Sequence, residues 1–338
     1  SELLGYGDAR GDVRLRRALA ALLAQTRGIV AGEDGLVVTR GSQMALDLAA
    51  RATLAPGDVV AVEAYGYRPA WEAFRAAGAE LVPVPVDANG LRVDALEALA
   101  GKRTIRAVYV TPHHQYPTTA MLPAARRLAL LDLAKRARFA IFEDDYDHEF
   151  QYDGRPTLPL ASADDGSRVI YVGTLSKVLA PGLRIGFLVG PRALLERAAS
   201  LRAFVDRQGD LAIERAVAEI IDDGLLARHA RKMRRVYRER RDVFVQALTE
   251  ALGDSLDVDV PRGGMALWCR VHGIEVDRLI AAALDEGVKI QPTSSLYIDG
   301  RSRSFLRLGF AGNDVATLRR AVIGITRARD RVLEQRHA

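Results

Sequence analysis

The sequence of 338 residues holds a single cysteine, Cys269, which excludes an internal disulfide framework and any zinc site built from several thiolates. No apolar run approaches the roughly 18 residues that a membrane span requires. The opening Ser1-Glu2-Leu3-Leu4 lacks the charged start of a signal peptide. These absences predict a cytoplasmic chain with no membrane partner. Low-complexity linkers and internal repeats are also missing. Lysine is scarce: five residues (Lys102, Lys135, Lys177, Lys232 and Lys289) among 48 basic ones, the rest arginine. Chemistry that needs an amine therefore has five candidates. The arginine excess is nearly balanced by 43 acids, leaving a net charge of +5, and reads as compositional bias rather than nucleic-acid design.

What is present is ordinary for a globular protein: 49% apolar and 27% charged residues exclude disorder and coiled coil as the main architecture. The length favours two domains over one. The chain has no initiator methionine and enters at once a turn-rich segment, Tyr6-Gly-Asp-Ala-Arg-Gly11. It reads as a domain taken from something longer, or as a processed start.

Up to about residue 200, seven short apolar runs (36–39, 59–62, 81–84, 107–110, 140–142, 169–172 and 185–189) alternate with helix-like stretches. That alternation predicts an α/β domain with a seven-stranded, mostly parallel sheet. Several runs end in polar clusters: Arg40-Gly-Ser-Gln43, Glu63-Ala-Tyr-Gly-Tyr67, Thr111-Pro-His-His-Gln115, Glu143-Asp-Asp-Tyr146 and Gly173-Thr-Leu-Ser-Lys177. Open α/β sheets bind ligands beyond the carboxyl ends of their strands. From about 211 the pattern changes to long helices. Leu226, Met233, Tyr237, Phe244, Leu248 and Leu252 form one apolar face over 225–252. Strand-like stretches at 265–268 and 305–308 follow. The boundaries drawn are 1–210 for a large domain, its first 15 or so residues lying near a dimer interface, and 211–338 for a smaller α+β one with a long connecting helix.

Among the lysines only Lys177 lies just past an apolar strand, flanked by hydroxyls, with Arg184 seven residues on. Such an amine forms a Schiff base with a carbonyl once its proton is lost, which burial and nearby cations promote. A solvated loop lysine is the plainer alternative. The acids of 143–149 suit solvent or a divalent metal, or a single carboxylate that keeps a pyridine nitrogen protonated. Ser42 and Gln43 open an apolar-patterned helix whose N-terminus can receive phosphate, although Ser42 also serves as a plain N-cap. Tyr67, after a strand and a glycine, can cover a planar cofactor or simply pack. Amine, acid, phosphate cradle and ring together are the parts that pyridoxal phosphate needs.

From end to end the chain resembles the fold-type I pyridoxal-phosphate-dependent aminotransferase family. Its landmarks are Tyr6-(x4)-Gly11-(x3)-Leu15-Arg16, Ser176-Lys177 with Pro181-Gly-Leu-Arg-Ile-Gly186, Pro261-Arg-Gly-Gly-Met-Ala-Leu-Trp268 and Arg307-Leu-Gly-Phe310. Within the family it is similar to the effector domains of MocR-type transcription regulators, which join a GntR-like winged helix to an aminotransferase-like domain. Glu143-Asp-Asp-Tyr-Asp-His-Glu-Phe150, Val172-Gly-Thr-Leu-Ser-Lys-Val-Leu-Ala-Pro181, His114-Gln-Tyr-Pro-Thr118 and His229-Ala-Arg-Lys-Met-Arg-Arg-Val-Tyr237 carry that likeness. The resemblance implies that Lys177 forms the internal aldimine and Asp144 pairs with the pyridine nitrogen, Asp145 being the next candidate. It implies that Tyr146 bonds the phenolic oxygen and Tyr67 stacks on the ring. Ser42, Gln43, Thr174, Ser176 and Arg184 would hold the phosphate, with Tyr6 reaching the site of a partner subunit in a homodimer. Arg307 would grip the carboxylate of an amino-acid-like effector, a task that suits a planar fork. DNA would be bound only through a winged helix that precedes this segment. A working aminotransferase is the alternative.

Two departures stand out. Where ordinary aminotransferases carry Asn-Pro-Thr-Gly, this chain has Tyr116-Pro-Thr-Thr119, which removes one control over the cofactor ring. The Gln291-Pro-Thr-Ser294 segment lacks the family's usual glycine. Two further clusters are read as bland. Eight basic residues within Arg228–Arg241 lie on a helix whose apolar stripe is already spoken for, and are taken as a solvated or inter-subunit face rather than a DNA contact. His113, His114 and His148 show no recognisable ligand spacing, so no metal is expected.

Overall fold

The computed structural model describes residues 5–154 and 157–337; Ser1–Leu4, whose lack of a charged start was noted above, lie outside them. Helix α1 (Val13–Arg27) starts where Asp12 accepts hydrogen bonds from the amides of Arg14 and Leu15, and stops at Gly28 in the left-handed region. The strands that follow are β1 (Leu36–Thr39), β2 (Val59–Glu63), β3 (Glu80–Val84), β4 (Val86–Asp87), β5 (Gly90–Leu91), β6 (Ala107–Val110), β7 (Ala140–Asp145), β8 (Val169–Thr174) and β9 (Gly186–Val189). Seven of them make one sheet in the order β1-β9-β8-β7-β6-β2-β3, while β4 and β5 form a small hairpin apart from it. Neighbours from β3 to β8 pair in parallel; β9 runs against both β8 and β1.

Helices cover both sides of this sheet, as a parallel sheet requires. On one side α2 (Gly41–Thr53), α3 (Arg68–Ala76) and α6 (Arg192–Val205) bury Leu46, Trp71, Phe74 and Leu195 with Tyr109 and Phe142 of the strands. On the other, α4 (Val93–Ala100) and α5 (Ala124–Ala137) bury Leu96, Leu130 and Leu133 with Val108 and Ile141. Alternate residues of β6 thus go to opposite cores.

After α7 (Leu211–Asp222) comes α8 (Leu225–Leu252), 28 residues long. Leu226, Phe244, Leu248 and Leu252 are buried on one face, with Met233 and Tyr237 packed partly against the same core. A second, antiparallel sheet of β10 (Leu256–Asp259), β11 (Ala266–Val271) and β12 (Phe305–Gly309) is backed by α9 (Val276–Asp285) and α10 (Val315–His337). The architecture is the expected one: a large α/β unit with a seven-stranded, mostly parallel sheet and a smaller α+β unit after it. β10, in which Asp alternates with Leu and Val, is an addition to the sequence reading.

Candidate active site

Beyond the carboxyl ends of β6, β7 and β8 lies a cavity of about 450 Å³. Ser42, Gln43, Tyr67, Asp144, Tyr146, Thr174, Ser176, Lys177, Arg184 and Arg307 all line it, so ten of the residues singled out in the sequence meet in one place. Tyr6 does not line it. Its side chain is 79% exposed, with the Arg207 guanidinium 3.8 Å above the ring.

Two glycines build the anion end. Gly41 opens α2 at a φ of +78°, and a β-carbon there would lie 2.7 Å from Nη2 of Arg184. A β-carbon at Gly186, the first residue of β9, would lie 2.4 Å from the carbonyl carbon of Gly41 and 2.7 Å from the amide of Ser42. Only bare backbone lets β9, the start of α2 and the guanidinium come this close. Arg184 is further fixed by donating from Nη2 to the carbonyl of Arg40 at 3.0 Å. A helix N-terminus, a guanidinium and the hydroxyls of Ser42, Thr174 and Ser176 therefore converge, a set suited to a phosphate dianion.

The acid end comes from β7. Asp144 is buried, and its Oδ2 accepts from the Tyr109 hydroxyl at 2.8 Å. Burial pushes its carboxyl up to about 7; the Tyr109 bond and the charge of Lys177 pull it down, while Asp145 and Asp147 push it further up. Asp145 turns the other way. It accepts from Tyr171 at 2.7 Å, pairs with Nδ1 of His148 at 2.9 Å and has Nε of Arg27 at 3.8 Å. Of the two acids weighed in the sequence, Asp144 is the one that faces the cavity. Lys177 follows on the loop after β8 and is exposed to the cavity, not buried in the chain.

Aromatic rings and Arg307 close the remaining side. Tyr67 meets the ring of Tyr116 edge-on, centroids 5.5 Å apart. The Tyr146 hydroxyl donates to the carbonyl of His114 at 3.0 Å. Tyr116 donates its hydroxyl to Oε1 of Gln291 at 3.1 Å, and the Arg307 guanidinium stands 4.6 Å over its ring. Arg307 has no acidic partner among the described residues, and its Nε is buried without a hydrogen bond. Beneath this side Glu63, at the end of β2, accepts from Oγ1 of Thr111 at 2.9 Å, and that same oxygen receives the amide of Tyr116. Burial pushes Glu63 up to about 8.

Sequence reasoning missed Tyr109, Thr111 and Met265 as lining residues. Tyr109 reads as one more apolar residue of a strand, and nothing in its spacing marks the acid on the neighbouring strand. The histidines also group differently from their sequence order. His113, Asp145 and His148 bring ligand-type atoms within 4.8 Å of one another, whereas His114 faces Asp147 at 2.7 Å and Gln151 at 3.1 Å. The spacing gave no sign of this cluster because the crossover from β6 through α5 to β7 assembles it. The oxygen of Asp145 already serves a tyrosine, a histidine and an arginine, which is the pattern of a charge network.

The family model described as aminotransferase class I and II matches residues 1–325. The chain belongs to this family. Among its class I and II relatives, a probable rhizopine catabolism regulatory protein MocR of Rhizobium meliloti is 35% identical over 95% of the chain. The chain spans 64% of the length of that regulator. Aromatic-amino-acid aminotransferase 1 of Thermococcus litoralis is 33% identical over 92% of the chain and 76% of its own length. Among solved structures, a multiple substrate aminotransferase from Thermococcus profundus superposes with a TM-score of 0.90 at 30% identity, covering 98% of this chain and 84% of its own. LysN, an alpha-aminoadipate aminotransferase from Thermus thermophilus complexed with N-(5'-phosphopyridoxyl)-L-leucine, gives 0.91 at 28% identity, covering 98% and 85%. The fold is that of fold-type I aminotransferases, and the cofactor of this class I and II domain is pyridoxal phosphate. The residues present fit it: Oδ1 of Asp144, Oγ of Ser176 and Oε1 of Gln43 are buried polar atoms with no partner among the described residues, on the walls of a cavity with a free amine.

Proposed function

We propose that this chain is the effector-sensing domain of a MocR-type transcription regulator, holding pyridoxal phosphate on Lys177 and responding to an amino compound. The observation that carries the reading is Tyr116. In the place where aminotransferases have asparagine, its ring lies against Arg307 and its hydroxyl is tied to Gln291. The aromatic wall covers one face of the guanidinium and leaves its edge for an effector's carboxylate, while the asparagine that would tune the cofactor ring in an enzyme is absent, which favours sensing over turnover. The likeness to the Rhizobium regulator supports the same reading.

In this reading Asp144 holds the pyridine nitrogen, and Ser42, Gln43, Thr174, Ser176 and Arg184 hold the phosphate. Tyr67 covers the ring and Tyr146 serves the phenolic oxygen. When bound, the cofactor supplies an electron sink to a carbon attached to its amine. Arg307 receives the effector's carboxylate. The protein works as a cytoplasmic homodimer with Tyr6 crossing to the partner's site, and a winged helix outside this segment reads DNA. The described residues include no helix long and apolar enough to cross a membrane.

A second reading, a working aminotransferase, is favoured by the intact pairing of Tyr109 with Asp144 and by the free Lys177 amine facing that acid. One experiment separates the two. The loaded protein is given a panel of amino acids and amines while the visible absorbance of its cofactor and the release of keto acid are followed together. A spectral shift without multiple turnovers supports the regulator; sustained keto-acid production supports the enzyme.

A further inference from the structure

The eight basic side chains of α8 between Arg228 and Arg241 divide into two groups. Four are used by the fold. Arg234 donates to the carbonyl of Glu149, Arg240 to that of Ala311, and Arg241 to that of Pro261, while Arg238 pairs with Asp153 at 3.2 Å. The other four, Arg228, Arg231, Lys232 and Arg235, are exposed and have neither an ion pair nor a hydrogen bond among the described residues. Their spacings of three, four and seven put them on one helical face, opposite the buried Leu226, Phe244 and Leu248.

This arrangement costs stability. Arg228 and Lys232, and Arg231 and Arg235, are like charges four residues apart, which repel. Arg228 also sits in the first turn of the helix, where the peptide dipoles disfavour a cation. No acid occurs in α8 before Glu239 to offset them. Elsewhere in the chain exposed arginines commonly have a carboxylate at hand, as Arg136 does with Asp132 and Glu97, and Arg192 with Glu196. A compositional excess of arginine explains the count; it does not explain four neighbours left unpaired in a row.

We propose that this face of α8 binds the phosphate backbone of duplex DNA, giving the effector domain a sequence-independent contact of its own. The proposal rests on the regulator reading. Seven residues of helix rise about 10 Å, a length over which one DNA strand presents about three phosphates. Point-like and fork-like cations on a convex rod suit backbone contact, and the stripe carries none of the Asn or Gln side chains that pair with adenine.

The test uses the 338-residue chain loaded with pyridoxal phosphate and a labelled 40-base-pair duplex of arbitrary sequence. Fluorescence anisotropy is followed from about 50 to 200 mM salt. Binding is expected to weaken along a log–log slope of about −2.7 to −3.6, in line with three or four neutralised phosphates. The variant combining Arg228→Gln, Arg231→Gln, Lys232→Gln and Arg235→Gln should bind at least tenfold more weakly at the lowest salt, with most of the slope gone. Absence of binding by the unaltered chain, or an undiminished slope in the variant, overturns the proposal. So does equal competition by polyglutamate, which points to an acidic protein, and so does a changed subunit number in the variant by light scattering, which makes the stripe a subunit face. The variant's cofactor spectrum and its response to amines report separately on the regulator reading, so either idea can fail alone.

Discussion

The Tyr109 hydroxyl donates to Oδ2 of Asp144 at 2.8 Å, and the other carboxylate oxygen, Oδ1, is buried without a partner among the described residues. One half of the carboxyl is thus fixed by the neighbouring strand and the other half is left for a ligand. The tyrosine sets the plane of the acid, and the acid presents its free oxygen.

This acid should make the unloaded protein less stable as pH rises. Below its ordinary value of 3.8, Asp144 is neutral in both folded and unfolded chains. Between there and about 7 the unfolded chain ionises it and the folded chain does not, so unfolding gains. For one such carboxyl the loss is bounded by about 4 kcal/mol. Glu143, at about 7, and Glu63, at about 8, act in the same direction. Thermal unfolding of the cofactor-free protein should occur at a lower temperature at pH 8 than at pH 5. Asp144→Asn should reduce that difference, and loading with pyridoxal phosphate should also narrow it. An unchanged difference in the variant places the effect elsewhere.

Lys177→Ala should abolish covalent attachment while the phosphate cradle still holds the cofactor. After borohydride treatment, mass spectrometry should find the added cofactor mass on the unaltered chain and not on the variant. Retention of that mass by the variant would name another lysine.

Gly186→Ala should loosen the anion end. Its new methyl group would meet the backbone of Gly41 and Ser42 at 2.4 and 2.7 Å, so strands or helix must move apart. We expect a stability loss of about 1–3 kcal/mol and a cofactor affinity at least tenfold lower, measured by denaturant unfolding and by absorbance titration. Arg184→Ala should lower the affinity with little change in stability, because this residue is exposed. Equal stability losses in the two variants would contradict the account.

Tyr116→Asn should free Arg307 from the aromatic ring and restore the residue that aminotransferases carry. The expected outcome is faster keto-acid release from amino acids, by tenfold or more. If turnover stays where it was, the tyrosine is not what distinguishes this site from that of an enzyme.

Thr119 stands in the left-handed region, at a φ of +62°, where the family's motif has glycine. A β-branched residue is strained there. Thr119→Gly should raise stability by about 1 kcal/mol, read from the denaturant midpoint at constant slope.

Much of this site was legible in the sequence because polar clusters at strand ends share one destination in an open α/β sheet. Lys177, Asp144 and the serines needed only their own strand to place them. Tyr109 was illegible because it belongs to the site through a strand paired beside its own, and a single strand does not announce its neighbour. His113 and His148 meet for the same reason. β10 escaped notice because four residues that alternate between apolar and acidic look like a turn until a partner strand supplies their hydrogen bonds.

Gly263 has a mechanical consequence. A methyl group there would lie 2.2 Å from Nε2 of His114 and 2.7 Å from Oε1 of Gln151, so the backbone at Gly263 rests directly on the imidazole. Two residues further on, Met265 is part of the cavity wall. The amide of Gly264 and the carbonyl of Arg262 are stitched to the backbone of Phe150 and Tyr152. The same short stretch of chain is thus wall on one side and seam on the other. A ligand that presses on the methionine therefore presses on the stretch of chain whose hydrogen bonds tie it to residues 150–152.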